Sequence, residues 1–102
     1  MKELIRRLCE VYGPCGQEEG VRRLIAQEIA GLVDESRVDA LGNLIALKRG
    51  AGNGNAPAKR VMIAAHMDEI GVMISHVDAN GFLRFTNVGG VLPYTLFGSR
   101  VL

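Results

Sequence analysis

Tryptophan is absent from the sequence, and the aromatic residues are limited to two tyrosines and three phenylalanines. With 102 residues, the chain has the length of one small domain, whose core must therefore be aliphatic. An excess of one charge is lacking too, because twelve Lys and Arg against eleven Asp and Glu give a net charge of +1. This balance provides no basic field for nucleic acid and no acidic tract typical of a solvated tail.

Signals for export and for membrane insertion are also missing. No apolar stretch approaches the roughly 20 residues that a membrane-spanning helix needs, and residues 1–7 lack the apolar centre of a secretory signal. We therefore expect a cytoplasmic protein with no membrane partner. The two cysteines, Cys9 and Cys15, match no zinc-binding template, and we expect no disulfide in that compartment.

Hydrophobic periodicity predicts two amphipathic helices in the first third of the chain. Residues 2–12 place apolar side chains at helical spacing, and residues 17–33 carry a clearer stripe of the same kind. The turn at 13–16 separates them, because its glycines and proline do not continue a helix. It lacks the lysine and the serine or threonine of a phosphate-binding loop, so we interpret it as a helix–helix connection.

The second part of the chain has the pattern of β-structure. Gly42-Asn43 and Asp78–Gly81 are predicted hairpin turns, and residues 50–58 are predicted to form a surface loop. The order of elements favours an α/β or α+β layer structure, although two helices cover only one face of a sheet. The predicted strands lie at 36–41, 44–48, 61–65, 72–77 and 82–88, and residues 91–102 resemble the start of another.

The most informative segment is His66-Met67-Asp68-Glu69-Ile70-Gly71, which follows the uninterrupted apolar run 61–65. Such a run is typical of a strand buried on both faces of a mostly parallel sheet. Ligands of open α/β sheets bind just beyond the carboxyl ends of the strands, which is where His66 and Asp68 stand. The two side chains point the same way if the backbone stays extended. An imidazole beside a carboxylate that fixes its tautomer is a pairing that metal sites use.

Other interpretations stay open for the polar residues of this region. His-x-Asp also occurs by chance, and a histidine at a strand end is more often a boundary residue than a ligand. Glu69 either contacts a metal or a substrate amine or caps the turn, and the residues alone do not decide between these roles. His76 has no ligand partner at useful spacing within strand 72–77 and is interpreted as structural.

Four segments of the chain together resemble the N-terminal portion of a family of dinuclear metallo-aminopeptidases. This family includes the glutamyl, deblocking and tetrahedral aminopeptidases, and some members carry a legacy label of endoglucanase. The segments occur in the family's order and at about its spacing, and the resemblance covers essentially all of the chain. They are Gly13–Glu18, Asp39–Ala46, Ala65–Gly71 and Val88–Gly90.

The resemblance implies an α/β fold class with two parts. Residues 1–70 would form the N-terminal part of a phosphorylase/hydrolase-like catalytic domain, and residues 71–102 the first strands of an inserted β (lid or dimerisation) domain. It also implies that the complete protein acts on peptides and assembles into a large homo-oligomer.

By the same resemblance, His66 is one metal ligand and Asp68 is the catalytic carboxylate that orients its ring. Residues two apart on an extended strand are separated by roughly 6.6 Å, so Asp68 is better placed to steady the imidazole than to bind the same ion. In a complete member, two divalent ions, zinc or cobalt, would polarise the peptide carbonyl and lower the pKa of a shared water. The other ligands and the general base have no counterpart here, so we expect these residues alone to bind metal weakly and to lack peptidase activity.

Three function classes follow, in order of preference. The first is a metal-dependent aminopeptidase that removes N-terminal residues from peptides. The second is a non-catalytic assembly or interaction module, in which an unpaired final strand joins another chain. A glycosidase comes last, because it needs two carboxylates on either side of one bond and the sequence identifies no such pair.

Overall fold

The structure is a computed structural model that describes residues 1–50 and 59–101. Apart from Gly50, the predicted loop at 50–58 lies outside the described residues. Two α-helices open the chain, α1 at Lys2–Glu10 and α2 at Glu19–Ile29. Both are present where they were predicted, but α1 is shorter at its C-terminal end and α2 is shorter at both ends. α1 stops early because Val11 already has an extended backbone, with φ −78° and ψ 128°.

The first predicted hairpin is confirmed. β1, Glu35–Val38, pairs with β2, Leu44–Leu47, in antiparallel register. The turn is organised by Asp39, whose carboxylate accepts hydrogen bonds from the Asn43 side chain at 2.9 Å and from the backbone N–H groups of Asn43 at 2.9 Å and Leu41 at 3.0 Å. These hydrogen bonds hold the pKa of Asp39 below its usual value, and the bond from the Asn43 side-chain amide has the largest effect.

Among the described residues, one hydrogen bond joins this hairpin to the helices. Gly42 takes a φ of +87°, a left-handed conformation that favours glycine, and its carbonyl accepts a hydrogen bond from Arg22 Nη1 at 3.0 Å. Arg22 belongs to α2, so the hairpin turn is tied to the same helix that carries the buried Val21.

The second predicted hairpin is also confirmed. β3, Gly71–Val77, pairs antiparallel with β4, Leu83–Val88, and the register shifts between Ile74 and His76. Its turn repeats the chemistry of the first, because Asp78 Oδ1 accepts hydrogen bonds from the backbone N–H groups of Asn80 at 2.9 Å and Phe82 at 3.0 Å.

The prediction of a buried strand at 61–65 is wrong for this structure. Residues 59–68 form neither helix nor strand, and Val61, Met62 and Ile63 are 82%, 90% and 92% exposed. An interior strand needs a hydrogen-bonded neighbour on each side. The described strands instead pair among themselves as two separate two-stranded sheets, β1 with β2 and β3 with β4. They therefore give this run no partner, and a parallel sheet is absent from the described residues.

The predicted strand beginning at 91–102 is also wrong over the residues described, which end at 101. Pro93–Thr95 instead form a short 3₁₀ helix. Proline has no N–H to donate to a strand partner. Thr95 donates both its N–H, at 2.9 Å, and its hydroxyl, at 2.7 Å, to the Leu92 carbonyl. These local bonds satisfy backbone groups that a strand would have used.

The described residues share very little core. Gly13 and Val21 are the two that are buried, and the molecule extends over 70 × 31 × 21 Å with a radius of gyration of 19.1 Å. A compact chain of this length has a radius of about 13 Å. The fold is thus a mixed α/β arrangement, two helices and two ribbons, without the closed layers of a finished domain. In the described residues, no helix is long and apolar enough to cross a membrane.

Candidate metal site at His66

The His66 segment lies between the exposed apolar run and β3, and it is held against the turn that follows α1. Glu69 and Pro14 form an isolated parallel bridge. In it, the Glu69 N–H donates a hydrogen bond to the Gly13 carbonyl at 3.0 Å. The position of the segment is therefore set by this turn.

His66 and Asp68, the two site residues predicted from the sequence, are in contact. The imidazole Nδ1 lies 3.0 Å from the Asp68 carbonyl oxygen and 3.1 Å from Asp68 Oδ1. The His66 side chain is 84% exposed and that of Asp68 is 37% exposed. The structure thus brings the pair together at the surface, while their role at a metal stays a prediction.

The partners of Nδ1 determine the tautomer of His66. A carbonyl oxygen only accepts hydrogen bonds, so the contact with the Asp68 carbonyl assigns the proton to Nδ1, which donates it. In the neutral ring the lone pair then resides on Nε2, which the hydrogen bonds of the described residues do not engage. A neutral imidazole with an available Nε2 is the form of histidine that binds metals. This donor fits a divalent ion such as zinc or cobalt.

Glu69 is engaged by the turn. Its Oε1 accepts a hydrogen bond from the Gly13 N–H at 3.0 Å, while its own N–H donates to the Gly13 carbonyl. Sequence reasoning left open whether Glu69 faces a metal or caps a turn, and these two bonds favour a structural contact. The pairing was missed because 56 positions separate the two residues and no local pattern links them.

The described residues do not contain a complete metal site. Within 1–50 and 59–101, no three His, Cys, Asp or Glu side chains come together in a group that could hold an ion. His76 is exposed on β3, opposite Arg84 of β4. Cys9 and Cys15 are unpaired thiols at the surface. A metal bound at His66 therefore needs ligands from outside these residues.

A half-open groove of about 410 Å³ lies beside Glu69 and Pro14. Its walls come from the turn after α1, from residues 69–72 and from the segment 91–101, and they include Tyr12, Ile70 and Arg100. Neither His66 nor Asp68 lines it. The groove is therefore separate from the candidate metal site.

Comparison with known protein families identifies the class of the chain. A sequence model described as M42 glutamyl aminopeptidase matches residues 42–102. A lysyl aminopeptidase of Pyrococcus furiosus is 41% identical over 100 residues, which make up 97% of this chain and 27% of the relative. The chain belongs to the M42 glutamyl aminopeptidase family.

Solved structures agree with this assignment. The aminopeptidase APDkam598 from the archaeon Desulfurococcus kamchatkensis matches with a TM-score of 0.80 at 41% identity, over 92% of this chain and 25% of that one. A Thermotoga maritima structure named as an endoglucanase matches with a TM-score of 0.74 at 42% identity, over 90% of this chain and 28% of that one. The chain spans roughly a quarter of the length of these relatives.

Proposed function

We propose that the intact protein is a metal-dependent aminopeptidase that removes N-terminal residues from peptides, and that this segment contributes His66 as one metal ligand. The observation that carries the proposal is the contact of His66 Nδ1 with the carbonyl and the carboxylate of Asp68. The His66 Nδ1–H is donated to Asp68, which leaves the lone pair of Nε2 exposed. Membership of an aminopeptidase family supplies the reaction class.

Asp68 has a supporting role in this proposal. Its carboxylate accepts the Nδ1 proton at 3.1 Å, which keeps the ring in one orientation and increases the basicity of Nε2. It does not need to contact the ion itself. Two bound divalent ions would supply the polarisation of the scissile carbonyl and the activation of a water. The remaining ligands and the general base belong to residues outside the 102.

Several features of the whole protein belong to the same proposal. Imidazole and carboxylate ligands suit both zinc and cobalt, so we propose one of these as the metal. We further propose peptide substrates, a cytoplasmic location and a homo-oligomeric assembly, in which the part of the chain from residue 71 onward belongs to an inserted lid or dimerisation domain. β3 and β4 are the start of that domain in this view, and residues 1–70 are part of the catalytic one.

A second candidate is an assembly module without catalysis. It is favoured by one observation, the exposure of Val61, Met62 and Ile63, since an apolar run that pairs with none of the described strands is suited to pairing with another chain. Activity of the intact protein separates the two candidates. A glycosidase stays last, because the two carboxylates that line a common cleft in the residues described, Glu18 and Glu19, are adjacent in the chain, and Glu18 Oε1 already accepts the Gly16 N–H at 2.6 Å.

The test compares His66→Ala with His76→Ala in the intact protein. Both histidines are exposed, but in the described residues the hydrogen bond to a carboxylate is made by His66 and not by His76. We expect H66A to lose bound zinc or cobalt and most of the aminopeptidase turnover, and H76A to retain both. Metal content by elemental analysis and hydrolysis of aminoacyl substrates are the two measurements. Retention of metal and turnover in H66A would overturn the proposal.

A further inference from the structure

One peptide group connects the His66 imidazole to the turn after α1. The Asp68 carbonyl accepts the hydrogen bond of His66 Nδ1 at 3.0 Å. The N–H of the same peptide group belongs to Glu69 and donates to the Gly13 carbonyl, also at 3.0 Å. In a trans peptide the C=O and N–H point in opposite directions. Fixing the N–H on Gly13 therefore fixes where the carbonyl points, and with it the imidazole.

The Glu69 side chain adds a second bond between the same two residues. Its Oε1 accepts the hydrogen bond of the Gly13 N–H at 3.0 Å. A single hydrogen bond would let the peptide pivot, whereas two bonds between one pair of residues oppose its rotation. Hydrogen bonds in series also polarise one another, which strengthens the contact to the imidazole.

Gly13 is a buried and closely packed point of attachment. It and Val21 of α2 are the two buried residues of the part of the chain that the structure describes. A Cβ on Gly13 would lie 2.2 Å from Val21 Cγ2, so the turn approaches the helix as closely as a backbone without a side chain allows. Glu69 is thus bonded to the best-packed point in the described structure.

We propose that Glu69 is a positioning residue for His66. By pairing with Gly13 through its backbone and its side chain, it holds the 68–69 peptide against which the imidazole is hydrogen-bonded. The inference rests on the proposed function, because it takes His66 as a metal ligand. Glu69 acts as a hydrogen-bond acceptor in this role, so its negative charge is not required.

The experiment measures zinc affinity of the intact protein by competition with a chelating dye, for the wild type, Glu69→Ala, Glu69→Gln and His66→Ala. Gln keeps an oxygen that accepts the Gly13 N–H, whereas Ala removes it. Loss of a group that orients a ligand typically weakens metal binding by about 10–100-fold. We expect E69A to fall at the lower end of that range, and E69Q to stay within about threefold of the wild type because the acceptor remains.

Glu18, the residue directly before α2, provides a matched control next to the same turn. Its Oε1 accepts a hydrogen bond from the Gly16 N–H at 2.6 Å. Glu18→Ala therefore also removes a carboxylate acceptor from a backbone amide, but the hydrogen bond that is lost does not involve residues 66–69. We expect E18A to leave zinc affinity unchanged. An equal loss in E18A and E69A would mean that the turn is only generally destabilised, and this would overturn the inference.

A measurement on the metal-free protein tests the geometry directly. Hydrogen exchange of the Gly13 amide should accelerate in E69A and stay slow in E69Q, with thermal unfolding recorded to show that both variants are folded. Equal zinc affinity losses in E69A and E69Q would assign a charge role to Glu69 and contradict the inference. Normal affinity in E69A beside a strong loss in H66A would refute it while leaving the proposed function intact. Normal affinity in H66A would overturn both.

Discussion

At the scale of single residues, the candidate site depends on two acceptors around one nitrogen. The Asp68 carbonyl and the Asp68 carboxylate both lie within hydrogen-bond distance of His66 Nδ1. The two acceptors have different functions, because the backbone oxygen can fix the tautomer without the side chain. The carboxylate adds negative charge beside the ring, which makes Nε2 a better donor to a cation.

This division of roles predicts distinct effects for substitutions of Asp68. In the intact protein, Asp68→Ala should weaken zinc or cobalt binding by about 10–100-fold, and Asp68→Asn should fall between Ala and the wild type because it keeps an oxygen acceptor without charge. The Nδ1–H tautomer should persist in both variants, since the backbone carbonyl remains. Chelator competition gives the affinities, and ¹⁵N chemical shifts of the imidazole give the tautomer. A switch to the other tautomer in D68A would contradict the role of the carbonyl.

The residue-level contacts differ in how far the sequence predicted them. The His66–Asp68 contact follows from a spacing of two residues and was foreseen. The Gly13–Glu69 pair joins positions 56 apart, and it forms because the turn has a free backbone amide and carbonyl next to a close approach of Gly13 to α2. This contact forms only when the folded chain brings the two residues together, so no local sequence pattern predicts it.

At the scale of elements, turn chemistry explains why both hairpins were predicted correctly. Asp39 and Asp78 each accept backbone N–H bonds from residues two and four positions later. These bonds are local and need no other part of the chain. The run at 61–65 is different, because an interior strand depends on neighbours that are distant in sequence. Its composition favours a buried strand, but the described strands supply no partner.

The first hairpin turn should respond to acid in a defined range. Hydrogen bonds from Asn43 and Leu41 lower the pKa of Asp39 in the folded turn. Ionised Asp39 therefore stabilises the turn above the unfolded pKa of about 3.9, and this stabilisation is lost as the pH falls through the lower folded pKa. We expect the amide resonances of Leu41 and Asn43 to stay constant down to about pH 4 and to shift together below it. Asp39→Asn, which accepts the bonds without titrating, should remove this shift.

The close contact of the turn with α2 gives a prediction about helix packing. In the intact protein, Gly13→Ala should lower the thermal midpoint, because the new Cβ would meet Val21 Cγ2 and overpacking costs about 1–3 kcal/mol. Adding Val21→Ala removes the clashing methyl group, so the double variant should lose less than the sum of the single ones. Gly31→Ala is the control, since nothing lies within 4 Å of its added Cβ. Additive losses would show that Gly13 and Val21 do not pack as described.

At the scale of the whole molecule, the exposed area is far larger than a self-contained domain has. The accessible surface is 9025 Å², whereas a compact protein of 11.0 kDa exposes about 5,600 Å². The difference exceeds the roughly 1,600 Å² that a standard protein–protein interface buries. Since the chain spans only about a quarter of its relatives' length, we propose that further parts of the fold cover this surface in the intact protein.

The same comparison predicts how the 102 residues behave on their own. Without the rest of the protein to cover them, the apolar run at 61–63 and the ribbon of β3 and β4 should bind a hydrophobic dye and cause self-association. Unfolding should lack a cooperative transition, because burial of Val21 contributes only about 2 kcal/mol. Added zinc or cobalt should give no turnover of aminoacyl substrates, since one histidine is too few ligands. Ile63→Lys should reduce dye binding and self-association. A monomer with a radius of gyration near 13 Å, a sharp thermal transition or measurable turnover would show instead that these residues form a complete domain.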